Sequence, residues 1–202
     1  MSKLRSYAKW IYDKAFGQHL LLTNTMASCC MMGLGDVVQQ RIEFHYGDRN
    51  FHDWRRTGRM MTMGLILGPM VHSFYGFLDR YYKVTSGRTV LRKILWDQST
   101  ASPAFSFTFI TGMAVLEGKT FGEGVREFRA KFPAIYLVDW CIWPPTQAIN
   151  FYFLSPKFRA IYVYFVDIIW YTFNSYIKHK YNPKYDIPVS SFGVHDSASV
   201  HK

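Results

Sequence analysis

The chain is poor in the features that most enzymes and secreted domains display. It has three cysteines in 202 residues, Cys29, Cys30 and Cys141. So few exclude a disulfide scaffold, and the adjacent pair has neither redox nor zinc-knuckle spacing. No Asn-x-Ser/Thr acceptor occurs, which argues against a secreted or cell-surface protein. There is no phosphate-binding Walker loop and no Gly-x-Ser-x-Gly nucleophile elbow. The seven histidines are scattered and form no His-x-x-x-His or His-Glu pair. Gly33-Leu34-Gly35 lacks the third glycine, the preceding strand and the later acid of a dinucleotide loop. The sequence therefore offers no catalytic, cofactor-binding or metal-binding set, and a non-enzyme is expected.

Charge is missing where it matters most. Residues 15–35, 60–78 and 98–116 contain no Asp, Glu, Lys or Arg. Each run reaches the ~18–20 residues that cross ~30 Å of hydrocarbon. Residues 132–153 and 160–177 are interrupted by one acid each, Asp139 and Asp167. The expected fold is all-α, a multi-pass membrane bundle of four to five transmembrane helices with short amphipathic surface helices. A soluble protein with buried helices is the competing reading. Small residues in the first run (Ala27, Ser28, Gly33, Gly35) suit close helix contact in lipid.

Acids are also scarce overall, 14 against 24 Lys plus Arg, for a net charge of +10. Basic loops flanking membrane helices explain this surplus through lipid phosphates. Contact with RNA or another anionic ligand is the functional alternative. Lys and Arg fall almost evenly on the two sides of a five-span arrangement, so charge sets no orientation.

Three regions follow. Residues 1–18 read as a basic amphipathic helix, either a mitochondrial targeting element or a surface helix. Residues 19–178 form the membrane helical domain, and residues 179–202 a disordered tail. Within the domain, residues 89–96 read as a short amphipathic segment. Residues 117–131 read as a charged loop or short helix on the membrane surface, with Phe121, Val125, Phe128 and Phe132 on one face.

The most telling stretch is 139–159, aromatic and broken by Pro144, Pro145 and Pro156. A soluble helix would be broken by Pro144 and Pro145, whereas a membrane helix tolerates them when neighbours satisfy the freed carbonyls. Gln147 and Asn150 then face protein or a water-filled cavity. Pro69-x-x-His72-x-x-Tyr75 and Pro144-x-x-Gln147-x-x-Asn150 form a faint repeat, as in duplicated carriers. Asp36, Asp97, Asp139 and Asp167 lie at or inside helix ends. Such acids sit at headgroup level, pair with an arginine such as Arg41 or Arg159, or serve a function.

The motifs resemble those of one family. Gly35-Asp36-x-x-Gln39, Asp53-x-x-Arg56-x-x-Arg59, Gly68-Pro69-x-x-His72-x-x-Tyr75, Asp97-Gln98 with Pro103, Trp143-Pro144-x-x-Gln147-x-x-Asn150, Pro156 with Arg159, and Trp170 with Ser175-Tyr176 occur in order. Together they resemble the Mpv-seventeen family, which includes the twenty-two-kilodalton peroxisomal membrane protein. Leu116-Glu117-Gly118, Asp139-Trp140-Cys141 and Tyr176-Ile177-Lys178 are similar to its Mpv-seventeen-like branch of the second type. Phe74 stands where the family usually has tryptophan, and Asn174 where it tends to have an apolar residue.

The resemblance implies a protein of the mitochondrial inner membrane, with the peroxisomal membrane as the alternative. It also implies support of mitochondrial ribosome assembly and stability, and so of translation. A non-selective channel or small-metabolite carrier is the alternative function. The expected partners are the lipid bilayer, the mitochondrial large ribosomal subunit or its RNA, and a second copy of the chain. No cofactor is implied. Basic positions Arg55, Arg56, Arg59, Arg88, Arg92, Lys93, Arg126 and Arg129 would serve RNA or lipid. The family-motif and polar-path residues are Asp36, Gln39, Pro69, His72, Tyr75, Asp97, Gln98, Asp139, Trp143, Pro144, Gln147, Asn150 and Arg159.

Overall fold

Caps and small residues set where the helices start and how closely they meet. In the computed structural model the described residues are Tyr7, Lys14, 19–48, 50–82, 86–153 and 156–183. Apart from Tyr7 and Lys14, the expected N-terminal segment to residue 18 lies outside them, as does the tail beyond residue 183. Among the described residues the chain is all-helical. Helix α1 is Leu20–His45, α2 is Trp54–Tyr81, and α3 is Gly87–Trp96. A π-helical turn, Asp97–Ala101, joins α3 to α4, Ser102–Leu116. Helix α5 is Phe121–Tyr152 and α6 is Pro156–His179.

Among the described residues three stretches are long and apolar enough to cross a membrane: Leu20–His45, Trp54–Leu78 and Gly87–Leu116. Helices α5 and α6 have the length, at 32 and 24 residues, but more charge. Their apolar parts begin at about Phe132 and end at about Ile177.

Helices α1 and α2 form an antiparallel hairpin. A methyl group on Gly64 would lie 2.5 Å from Cys29 Cα, so only glycine permits this approach. Helix α6 packs on α1 as well. Gly35 lies so close to it that a methyl there would be 2.5 Å from Tyr171 Cβ. The expected small-residue contact is therefore present, and Gly35 carries it between first and last helix. Helices α4 and α5 form a second hairpin, turned by Gly118 at φ 84°. Its return begins with a capping box, Thr120 accepting from Glu123 N while the Glu123 carboxylate accepts from Thr120 N.

Residues 89–96 fall in a short amphipathic helix, as expected, and α3 runs on through the π turn into α4. Pro103 cannot donate to the Ser99 carbonyl, and the wider turn just before it accommodates that lost bond. One expectation is corrected: residues 121–131 are not a separate surface helix but the first turns of α5. Phe107 of α4 packs edge-on against Phe121 and Phe128, and Phe128, Phe132, Tyr136 and Trp140 continue as a ladder along α5. The Phe107 contacts tie the segment to α4.

One core cluster joins the helices: Met32, Met60, Met63, Leu67, Phe109, Ile110, Met113, Ala134, Ile135 and Ile177, with Tyr181 just past α6. Its four methionines fill irregular gaps between closely packed backbones.

Candidate functional site

Two polar assemblies sit inside this apolar bundle. The first is a charge network where α1 ends and α2 begins. Asp53 caps α2 by accepting from Arg56 N at 3.0 Å. The cap fixes the first turn and sends the Arg56 side chain inward, where it is 1% exposed. Its Nε donates to Asp36 Oδ1 at 2.7 Å. Its Nη1 and Nη2 donate to the two oxygens of Glu43, each at 2.9 Å. This is the bidentate fork that lysine cannot reproduce. Nη2 also donates to Ser175 Oγ at 2.8 Å, and Ser175 Oγ donates to Asp36 Oδ1 at 2.6 Å. Gln40 and Thr57 donate to Asp36 Oδ2 at 2.7 and 2.6 Å. Gln39 donates to Glu43 at 3.3 Å.

The motifs Gly35-Asp36-x-x-Gln39 and Asp53-x-x-Arg56 are thus one clamp on α1, α2 and α6. Two expectations change. Arg56 is no basic-loop residue but a fully buried ion-pair partner. The partner of Asp36 is Arg56 rather than Arg41, which is exposed.

A second ionic cluster continues beyond the apolar spans. Lys178 Nζ meets Glu127 at 2.8 Å and Glu117 at 3.1 Å. Lys131 meets Glu127 at 3.1 Å and donates to the Lys178 carbonyl at 2.8 Å. His179 lies between the clusters, Nδ1 near the Ser175 carbonyl at 2.9 Å and Nε2 at 3.6 Å from Glu117. Burial, helped by the Arg56 charge, pushes the His179 imidazole down to about 4 despite its acceptors. Burial opposes the Glu127 charge, yet Lys178, Lys131 and Lys119 hold its carboxyl down to about 2.

The second assembly is a cavity of about 480 Å³ among α1, α2, α4, α5 and α6. It brings together residues far apart in the chain: Asn24, His72, Tyr75, Asp97, Asp139, Trp143, Gln147 and Asp167. Asn24 and His72 are hydrogen-bonded at 3.0 Å, Nδ2 to Nδ1. Tyr75 donates its hydroxyl to Asp97 at 2.8 Å. Trp143 and Trp170 meet edge-to-face on the wall, centroids 6.2 Å apart.

Asp139 is not at a helix end but deep within α5 and 4% exposed. Gln98 and Ser102 stand beside its carboxylate. No well-formed hydrogen bond closes among them: Asp139 Oδ2, Ser102 Oγ and both amide atoms of Gln98 are buried without a partner. That is unusual, because buried polar groups are nearly always paired. The adjoining π turn carries Asp97 and Gln98, and Tyr136 donates its hydroxyl to the Gln98 carbonyl at 3.1 Å.

Of the expected polar-path residues, His72, Tyr75, Asp97, Asp139, Trp143 and Gln147 do line one cavity. Asp36 and Gln39 instead belong to the clamp. Gln98 stands behind the wall, and Pro69 and Pro144 lie within the helices that form it. The side chains of Asn150 and Arg159 lie outside the described residues. Sequence reasoning did not place Asn24, Ser102, Ser106 or Asn174 in the path. All four line the cavity, and each is a polar residue inside a charge-free run or a one-acid span. Among the described residues no group of three His, Cys, Asp or Glu is set to hold a metal.

Set beside known proteins, residues 114–175 match the model of the Mpv17 / PMP22 family. The chain is 30% identical over 172 residues to the mitochondrial inner membrane protein Mpv17 of Danio rerio, covering 85% of this chain and 95% of that one. It is 28% identical over 170 residues to the Homo sapiens protein of the same name, covering 84% and 96%. It is 29% identical over 171 residues to PXMP2/4 family protein 2 of Dictyostelium discoideum, covering 83% and 89%. No solved structure matches the chain.

Replacing Arg56 with Met leaves Asp36 and Glu43 as buried charges without a cation. Thermal unfolding in detergent should show a loss of about 3–5 kcal/mol. Arg56→Lys should recover only part of it, because the fork to Glu43 is gone.

Both perturbed groups bind fewer protons folded than unfolded, so acid destabilises through each. For His179 the loss runs from about pH 6.5 down to about 4, and for Glu127 from about 4.3 toward about 2. The melting temperature should therefore fall as pH drops from 7.5 to 5, and His179→Gln should flatten that stretch. A flat wild-type profile would contradict the assignment.

Proposed function

Because the chain belongs to the Mpv17 / PMP22 family and is a mitochondrial inner-membrane protein, we propose that it acts without catalysis, supporting assembly and stability of the mitochondrial ribosome and so translation. The observation that carries this reading is a basic end on the bundle. The α1 C-terminus, α2 N-terminus, α4–α5 turn and α6 C-terminus meet there. Arg41, Arg55, Arg126, Arg129 and Lys180 are exposed at this end. Its inner acids, Asp36, Glu43, Glu117 and Glu127, are already neutralised by Arg56, Lys119, Lys131 and Lys178. The exposed acids Asp48 and Glu123 leave the surface in positive surplus.

Such a surface suits the phosphate backbone of ribosomal RNA, with affinity set by counterion release. In this reading the basic end faces the matrix, and α5 and α6 cross the bilayer with the three more apolar stretches. The branch-like motifs Leu116-Glu117-Gly118 and Asp139-Trp140-Cys141 support it too. In detergent lysates the protein should co-sediment with the large ribosomal subunit. The pair Arg126→Glu and Arg129→Glu should abolish that co-sedimentation and slow mitochondrial translation. A wild-type protein that never enters the ribosomal fractions would rule the reading out.

The cavity favours a second reading, a pore or carrier for small polar solutes. A void lined by Asn24, His72, Asp139, Gln147 and Asp167 within an apolar bundle is costly unless it holds water or solute. Reconstituted protein should pass small solutes, and His72→Leu with Gln147→Leu should cut the conductance several-fold. Conductance indifferent to both changes would place the path elsewhere.

A further inference from the structure

The acidic cavity has a chemical preference that neither reading above specifies. Asp97, Asp139 and Asp167 line it, and among the described residues no Lys or Arg does. Nearby cations do not compensate: Arg56 is held by Asp36 and Glu43 in the clamp. The described lining therefore favours a cation over an anion, in a medium where water screens little.

Acidity alone does not define a ligand, but a second, non-acidic group points the same way. Ser102 is 7% exposed and lines the cavity, and its Oγ has no partner. Asp139, 4% exposed, lines the same wall with an unpartnered Oδ2. Two buried polar side chains thus share one wall of the cavity. Phe105, Trp143, Trp170 and Tyr171 line the same cavity, and aromatic rings attract a cation and offer area to a hydrocarbon body. An inorganic ion would use the acceptors but waste the aromatic walls. An anion is disfavoured beside three carboxyl groups, and a neutral alcohol leaves that preference for a cation unmatched.

We propose that this cavity binds a small primary amine in its ammonium form, the N–H groups donating to Asp139 and Ser102 and the carbon chain lying against the tryptophan wall. A primary ammonium has three donors and no acceptor, which suits acceptors that lack partners. A quaternary ammonium has the charge but cannot donate to either oxygen. The volume, about 480 Å³, falls within the range of small-ligand sites and leaves room for water beside the amine. The proposal rests on the same cavity as the pore or carrier reading and names its ligand class, but it concerns binding and stands whether or not solute crosses.

The test uses the full chain in nanodiscs of zwitterionic phosphatidylcholine, so that the lipid offers no competing anionic site. Tryptophan fluorescence is followed during titration with n-butylammonium chloride. Tetramethylammonium chloride, potassium chloride and n-butanol serve as comparators. A saturable change is expected with n-butylammonium, at concentrations where the comparators give little. Asp139→Asn should weaken it roughly tenfold or more, and Ser102→Ala by a smaller factor.

Asp139→Asn keeps the side chain's size. Should it still fail to fold, Ser102→Ala and the wild-type ranking of butylammonium over tetramethylammonium decide alone. No saturable response, an equal response to tetramethylammonium, or an affinity unchanged in the variants would overturn the proposal. Flux of a neutral solute through proteoliposomes separates the two ideas. Binding without flux supports the site and removes the pore, whereas flux without butylammonium binding overturns the site and keeps the pore.

Discussion

Arg56 is the residue around which the bundle is organised. Taking a guanidinium out of water costs several kcal/mol even after relaxation, and only a full set of acceptors offsets it. Here Arg56 on α2 finds its acceptors on two other helices: Asp36 and Glu43 on α1, and Ser175 on α6. A buried ion pair adds little net stability compared with a well-packed apolar substitute. Its contribution is geometric. Slide α6 by one turn, and both Asp36 and Arg56 lose a partner. In lipid, where helices gain nothing from hiding apolar faces from one another, such a constraint fixes register. The close contacts at Gly64 and Gly35 then become possible, because the helices already have one permitted alignment.

The clamp also defines the cavity. Asn174 lines it and Ser175, the next residue, belongs to the ion network. Water or solute in the cavity therefore stands one residue away from the most heavily bonded part of the molecule. Toward the other end the wall is looser, with a π turn, paired prolines and unpartnered oxygens. The bundle is thus polar along its interior but unevenly so. It is ionic and saturated near the basic end, and acidic with open acceptors further in.

Much of this was legible in the sequence, and what was not has physical causes. Missing charge marked the apolar runs, and the Pro-x-x-polar repeat brought His72, Tyr75 and Gln147 to one place. Asp139 and Asp167 stood out because each interrupts an otherwise apolar stretch. The clamp was invisible, because Arg56 lies among other arginines in a short polar segment and looks like one more basic loop residue. Only the Asp53 cap, which turns its side chain inward, distinguishes it from exposed Arg55. Ser102 and Ser106 were passed over because hydroxyl residues are common in membrane helices, where they bond to carbonyls one turn back, as Thr108 and Thr111 do here. The segment 117–131 was misread as separate because amphipathic periodicity reports a mixed environment and not a break in the backbone.

The distance along the chain between Arg56 and Ser175 has a bearing on biogenesis. These partners lie 119 residues apart, and Ser175 and Asp36 lie 139 apart. When the first hairpin leaves the ribosome, its guanidinium and carboxylates still lack the hydroxyl that completes their shell. That hydroxyl arrives only with the final helix. A polypeptide that lacks the final helix keeps this guanidinium with one acceptor fewer. The knot of charge therefore closes only when the two ends of the domain meet.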